Sequence, residues 1–191
     1  MIDLNFLRKV EGFKLCGYVP VDDSGVVQSG VTVATGIDLG QQSKGSLFAL
    51  QLNKELLVKL LPFVGIKGSA ASELLKILCL HLTEEEALSL DTAVIERDLK
   101  NLVTLFNRDT AEVKFQALPK EFQTVIYSVK HQYGNLVFRT PQFWRQVTNN
   151  DWYEAYANLL NFKDSFPTRR HKEAALWLEG IKTIEKELNN G

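Results

Sequence analysis

A glutamate at the very end of a short helix is the feature that most constrains this chain. The first residues predict a helix that Asp3 caps, with apolar side chains three or four residues apart along one face. Gly12 ends this helix, because glycine readily adopts the left-handed conformation found there. Glu11 therefore lies where the helix dipole favours a cation, so another group must stabilise its charge or it holds its proton. A carboxyl in that position is suited to act as a general acid.

Short apolar runs separated by turn residues follow the helix. Residues 14–19 and 31–34 are rich in β-forming side chains, and Gly, Pro and Asp lie between them. They predict a small antiparallel sheet that packs against helices, since two strands alone are marginally stable. Alternation along the second run places Thr32 and Ala34 on one face. We therefore expect Thr32 to line a cleft while the neighbouring valines pack inward.

This part of the chain resembles the catalytic stretch of phage-type lysozymes. The similarity rests on Glu11-Gly-Phe-Lys-Leu and on Val31-Thr-Val-Ala-Thr-Gly-Ile-Asp-Leu-Gly40, and it is closest to the bacterial-toxin branch typified by pesticin. Those proteins carry Glu, Thr and Asp around a β-hairpin and cut the glycan of peptidoglycan. The resemblance implies catalytic roles for Glu11, Thr32 and Asp38.

The position of the second carboxylate distinguishes two branches of these lysozymes. The compact phage form has its aspartate between the glutamate and the threonine, where this chain has Pro20. Asp22 and Asp23 lie just beyond that proline and are alternatives to Asp38. Because the Asp-Leu-Gly after the threonine matches the toxin branch, we favour Asp38.

The rest of the chain is predicted to be helical. Residues 47–61 form a largely apolar run without Gly or Pro, which predicts one helix. Residues 83–86 form a capping box that begins a long helix, which Asp91 can divide in two. The spacing of apolar residues over 122–133 predicts a buried helix that Gly134 ends.

The resemblance also implies substrate contacts in the helical part. The central helix of this part ends in Gln132 and Tyr133, at the place where phage-type lysozymes line their cleft. An exposed helix end explains the glutamine equally well. Similar proteins pair an arginine at the start of the closing helix with the catalytic glutamate. This role falls on Arg169, with Arg170 as the alternative and a solvated basic patch as the competing interpretation.

Length and composition are consistent with one lysozyme-like domain. The 191 residues, 45% of them hydrophobic, can bury a full core. We expect an α+β, predominantly helical fold with a small β-hairpin lobe over about 12–40 and a larger helical lobe over about 41–191 plus the N-terminal helix. The net charge of −1 gives no case for binding nucleic acid or a membrane surface.

Targeting signals and metal-ligand patterns are both missing from the sequence. Neither a secretory signal nor a membrane-spanning run is present, so we expect synthesis in the cytoplasm and delivery to periplasmic peptidoglycan by another system. Cys16 and Cys79 do not form a disulfide framework and are expected to be buried thiols. The three histidines lack ligand spacing, which predicts neither a metal nor a cofactor.

The resemblance, together with these observations, implies that the protein is a muramidase. Such an enzyme hydrolyses the β-1,4 bond between N-acetylmuramic acid and N-acetylglucosamine, as a phage endolysin or an antibacterial toxin or effector domain does. Its partners would be peptidoglycan and, for a toxin, an immunity protein or a delivery system. A lytic transglycosylase, which needs one glutamate and no attacking water, and a non-catalytic glycan-binding module on the same fold are the alternatives.

Overall fold

A small antiparallel sheet lies within a chain that is otherwise helical. The computed structural model describes residues 2–21, 25 and 28–190. The strands are β1 (Lys14–Tyr18), β2 (Thr32–Ala34) and β3 (Ile37–Asp38), in that order across the sheet. The helices are α1 (Leu4–Glu11), α2 (Lys44–Phe48), α3 (Lys54–Leu60), α4 (Gly68–Ile77), α5 (Glu84–Asp109), α6 (Lys120–Tyr133), α7 (Leu136–Arg139), α8 (Pro141–Thr148), α9 (Trp152–Leu160) and α10 (Pro167–Asn190). The predominantly helical α+β class is confirmed.

The chain divides into two compact units. The sheet unit comprises residues 11–98, and the helical unit comprises residues 1–10 and 99–191. The sheet unit also contains α2, α3, α4 and the first half of α5, whose apolar residues pack with those of the strands.

The core of the sheet unit joins the hairpin to helices. Val31, Val33 and Leu39 are completely buried, and they belong to one cluster with apolar residues of α2, α3 and α5. An isolated hairpin is marginally stable in water, so packing against these helices stabilises the sheet. The inward packing predicted for the two valines is therefore correct.

The helical unit is built around α6 and α10. Phe122 of α6 stacks on Trp177 of α10 with ring centroids 4.0 Å apart. Gly180 permits this approach, since a Cβ there would lie 2.6 Å from the Phe122 ring. The burial predicted for the helix over 122–133 is confirmed, and Gly134 ends it with a φ of 76°.

Several local expectations were wrong. The single helix predicted over 47–61 is two helices, because Gln51 adopts a φ of 54° and the side chain of Asn53 caps α3. Both cysteines are exposed rather than buried: Cys16 lies on β1 with its sulfur 3.2 Å from His81 Nδ1, and Cys79 follows the end of α4.

Asp91 does not divide the long helix. It lies within the helix, and its side chain accepts hydrogen bonds from the hairpin. It is 1% exposed within α5, which begins with the predicted capping box, and it accepts hydrogen bonds from the Thr35 amide at 3.0 Å and the Thr35 hydroxyl at 2.7 Å. Thr35 lies in the turn between β2 and β3, beside Ala34, whose φ of 54° is costly for a residue with a Cβ. Asp91 thus stabilises a strained turn.

Asp91→Asn should destabilise the protein by about 1.5–3 kcal/mol. The amide keeps the size of the carboxylate but cannot accept both Thr35 hydrogen bonds, and bonds to a buried charge are worth about this much. Urea unfolding followed by circular dichroism measures the change. The control is Glu73→Gln, which removes only an exposed ion pair with Lys76 and should stay within about 0.5 kcal/mol of the wild type. Equal unfolding midpoints for the two variants would contradict this role of Asp91.

Candidate active site

Glu11 is the last residue of α1, as predicted. Asp3 caps the other end of this helix by accepting a hydrogen bond from the Phe6 amide at 3.0 Å. Gly12 then turns the chain toward β1 with a φ of 83°. The half-buried Glu11 side chain is thereby fixed at a helix end immediately before the sheet.

Asp38 ends β3 and is oriented by two glycine amides. Its Oδ1 accepts hydrogen bonds from Gly30 N at 3.0 Å and Gly40 N at 2.8 Å. The two glycines approach so closely that a Cβ on Gly30 would lie 2.4 Å from the Gly40 Cα. Because both bonds use Oδ1, they fix the carboxylate plane and direct Oδ2 away from these amides.

Three polar side chains form a row across the sheet. Thr32 is the direct partner of Tyr18 on one neighbouring strand and of Asp38 on the other. Residues directly opposite each other in an antiparallel sheet point to the same face, with Cβ atoms about 4.5–5.5 Å apart. The structure therefore brings Thr32 and Asp38 together on one face and adds Tyr18 beside them.

Tyr18 is a site residue that the sequence analysis missed. Burial, and then the charges of Glu11 and Asp38, raise the pKa of its hydroxyl. The two carboxyl groups therefore act on one phenol, which places all three groups in one electrostatic neighbourhood. Lys14 Nζ lies 3.8 Å from the centroid of the Tyr18 ring. The strand register, which puts Tyr18 opposite Thr32, is the feature that identifies Tyr18 as a site residue.

Thr32 is less accessible than the alternation pattern suggested. It is 3% exposed, and its hydroxyl donates to the Gly30 carbonyl at 3.3 Å. All residues of β2 are buried, because this central strand is covered on both faces. That Thr32 lines a cleft stays a prediction. Asp22 and Asp23, the alternatives to Asp38, lie outside the described residues.

Gln132, Tyr133 and Arg169 lie in the helical unit and are linked to a buried cluster. Gln132 Oε1 accepts a hydrogen bond from Arg170 Nη2, and the Tyr133 hydroxyl donates to Asp164 Oδ2 at 2.6 Å. Arg169 Nε donates to Glu173 Oε1 at 3.0 Å. Glu11 belongs to the sheet unit, so its pairing with Arg169 stays a prediction.

The two arginines at the start of α10 differ in their surroundings. Arg170 is 2% exposed and bridges Asp164, Glu173 and Gln132, so it has a structural role. Arg169 instead lines a cavity of about 320 Å³ together with Val10 and Lys172. Arg169 therefore reaches a space that a ligand can enter.

Burial and ion pairing shift the pKa values of the two acids in the cluster, Glu173 and Asp164. Burial raises the pKa of Glu173, while Arg170 and Arg169 oppose this shift. Burial would also raise the pKa of Asp164, but hydrogen bonds from Tyr133 and the Phe166 amide and the charge of Arg170 outweigh it and lower that pKa. The cluster therefore combines two cations with two acids in a region of low dielectric.

The residues that the structure describes contain neither a metal-binding cluster nor a membrane-spanning helix. No three His, Cys, Asp or Glu side chains of this set are arranged to hold a metal ion. None of the helices found there combines the length and the hydropathy required to cross a membrane.

Comparison with known families agrees with this geometry. The model of the family described as "Pesticin: Bacterial toxin homologue of phage lysozyme, C-term" matches residues 1–153. The chain belongs to the pesticin family. The lysozyme resemblance of the hairpin is thus confirmed, and lysozyme-like degradation of peptidoglycan is the general activity to which this family points. No curated protein matches the chain significantly.

The match covers most of the candidate site residues of this pesticin-family chain. Glu11, Thr32, Asp38, Gln132 and Tyr133 fall inside it, whereas Arg169 lies beyond its end. The sheet unit and α6 are therefore covered by the match, and α10 is not.

The pKa of Tyr18 should fall when either neighbouring carboxylate is neutralised. A negative charge disfavours ionisation of the phenol, so Glu11→Gln and Asp38→Asn should each lower this pKa, while burial keeps it above its ordinary value of about 10. Carbon NMR of ring-labelled tyrosine over a pH series measures the shift, with Tyr18→Phe assigning the signal among five tyrosines. Glu73→Gln is the control. An unchanged Tyr18 pKa in both carboxylate variants would contradict the shared neighbourhood.

Proposed function

We propose that this protein is a muramidase that hydrolyses the β-1,4 bond between N-acetylmuramic acid and N-acetylglucosamine. The observation that carries the proposal is the row of Tyr18, Thr32 and Asp38, with the charges of Glu11 and Asp38 both acting on Tyr18. Two carboxyl groups that flank one site are what acid-and-base cleavage of a glycosidic bond requires. Membership of a lysozyme-like family supports this reaction class.

Glu11 and Asp38 take opposite roles in the proposed reaction. Glu11 donates its proton to the oxygen that leaves the N-acetylmuramic acid. Asp38 removes a proton from the attacking water through Oδ2, because Oδ1 already accepts two backbone hydrogen bonds. The Thr32 oxygen, which donates its own proton to Gly30, can accept a hydrogen bond from that water. We propose inversion at the sugar carbon, since a water enters between the carboxylates.

Three residues of the helical unit are proposed to bind the glycan. Gln132 retains its amide nitrogen as a donor, since its oxygen is engaged by Arg170. Tyr133 offers an aromatic face, and Arg169 contributes a cation at the edge of a cavity. These groups suit a polymer of amide-bearing sugars with acidic peptide stems.

The family description also bears on the biological setting. Because the family consists of bacterial toxin homologues of phage lysozyme, we propose an antibacterial toxin or effector domain that reaches peptidoglycan in the periplasm. Delivery by another system and protection of the producer by an immunity protein are part of this proposal.

Substitution of the two carboxylates should abolish lysis without unfolding the protein. Glu11→Gln should lower the initial rate of peptidoglycan solubilisation on the order of a thousandfold, and Asp38→Asn on the order of a hundredfold or more, because positioned proton transfer is worth about that much. Asp22→Asn, Asp23→Asn and the control Glu73→Gln should stay near the wild-type rate. Melting curves verify that each variant is folded.

The other outcomes of this series are equally informative. If Asp38→Asn keeps full activity while Asp22→Asn or Asp23→Asn loses it, the second catalytic carboxylate is Asp22 or Asp23, near the position that it has in the compact phage form. Dependence on Glu11 alone would favour a lytic transglycosylase. A wild-type protein that binds but releases nothing would be a glycan-binding module, and the proposal would be wrong.

A further inference from the structure

A fully buried carboxylate lies at the centre of the helical unit's polar cluster. Glu173 is 0% exposed, and its Oε1 accepts from the Ser128 hydroxyl at 2.5 Å and from Arg169 Nε at 3.0 Å. Its Oε2 accepts from Arg170 Nη1. Asp164 completes the set by accepting from Arg170 Nε at 2.9 Å. We call these five residues the Glu173 network.

The three proposed glycan-binding residues all make hydrogen bonds within this network, Arg169 as a member and the other two as neighbours. Arg169 is held directly, through Glu173 and through the Ser128 carbonyl and hydroxyl at 2.8 and 3.0 Å from its Nη2. Gln132 is held through Arg170, and Tyr133 through Asp164. No part of this arrangement follows from helix packing alone, since apolar contacts do not fix the direction of an amide or a guanidinium.

The charges of the network are balanced, which allows the two arginine side chains to stay buried in fixed orientations. Two arginines face two acids, and Glu173 is the only acid of the network that bonds to both arginines. Removing its charge takes away the acid that the two guanidinium groups share within the network. Arg169 and Arg170 are then expected to reorient toward water. Gln132 loses its fixed partner in the process.

We propose that Glu173 is a positioning residue for substrate binding, which holds Arg169 directly and Gln132 through Arg170 in the orientation that receives the glycan. This inference rests on the proposed function, because it assigns the network to the binding of that substrate. Side chains fixed before binding lose less conformational entropy when the ligand arrives, so the network contributes to affinity. Because Arg169 is also the predicted partner of Glu11, a smaller effect on the chemical step accompanies the effect on binding.

The test separates KM from kcat on soluble, uncross-linked peptidoglycan strands. Glu173→Gln should raise KM about tenfold, the scale of lost charge-assisted hydrogen bonds in a binding site, with a smaller loss in kcat. Ser128→Ala, which removes one hydroxyl between Arg169 and Glu173, should raise KM about threefold by the same reasoning. Arg169→Ala provides the reference for losing a binding side chain outright.

Glu179→Gln is the matched control for this substitution. It makes the same chemical change on the same helix at an exposed ion pair with Lys182, and it should leave both constants at wild-type values. Circular dichroism at the assay temperature verifies folding. If Glu173→Gln does not fold, Ser128→Ala decides the question with the same readout.

The outcomes distinguish this inference from the function on which it rests. A folded Glu173→Gln with wild-type KM, or with a loss confined to kcat, overturns the positioning role while the muramidase stands. If Glu173→Gln is unfolded, an unchanged KM in Ser128→Ala does the same. A wild-type protein that releases no fragments overturns both.

Discussion

The hydrogen bonds from two glycine amides to one oxygen of Asp38 are the constraint on which the candidate site depends. Gly30 precedes β2 and Gly40 follows β3, so a single carboxylate ties together the open end of this hairpin. Asp91 holds the opposite end through Thr35. With both ends fixed, the strands cannot slip by a residue, a change that would turn every side chain to the other face. The alignment of Thr32 with Tyr18 and Asp38 follows from this.

Much of the sheet unit could be predicted because its signals are local. The helix end at Glu11 and the Thr-to-Asp motif are read directly from neighbouring residues, and they agree with the family match over residues 1–153. The burial of Thr32 and the helix break at Gln51 were not predictable in this way. Thr32 is buried in β2, which lies between two other strands, and the apolar run over 47–61 breaks where Gln51 takes a positive φ ahead of the Asn53 cap.

The helical unit illustrates the limit of sequence reasoning more sharply. Its helices and their ends follow apolar spacing, yet nothing in that spacing connects Ser128, Asp164 and Glu173. The spacing does not distinguish Arg169 from Arg170 either. The structure shows that Arg170 is buried and that Arg169 lines a cavity, and the pairing of either arginine with Glu11 stays a prediction. Buried ionic clusters are assembled from residues far apart in the chain. The desolvation penalty of each buried charge and the stabilisation from its ion pairs can be judged only when the positions of all partners are known.

The central claim is that this site adds water to the bond after N-acetylmuramic acid, and digestion of purified peptidoglycan in ¹⁸O-labelled water tests it most directly. Mass spectrometry of the products should show one heavy oxygen on a reducing N-acetylmuramic acid, because the attacking water that Asp38 activates becomes the new hydroxyl there. Products that end in unlabelled anhydro-N-acetylmuramic acid, label found on N-acetylglucosamine instead, or no released fragments at all would contradict the account.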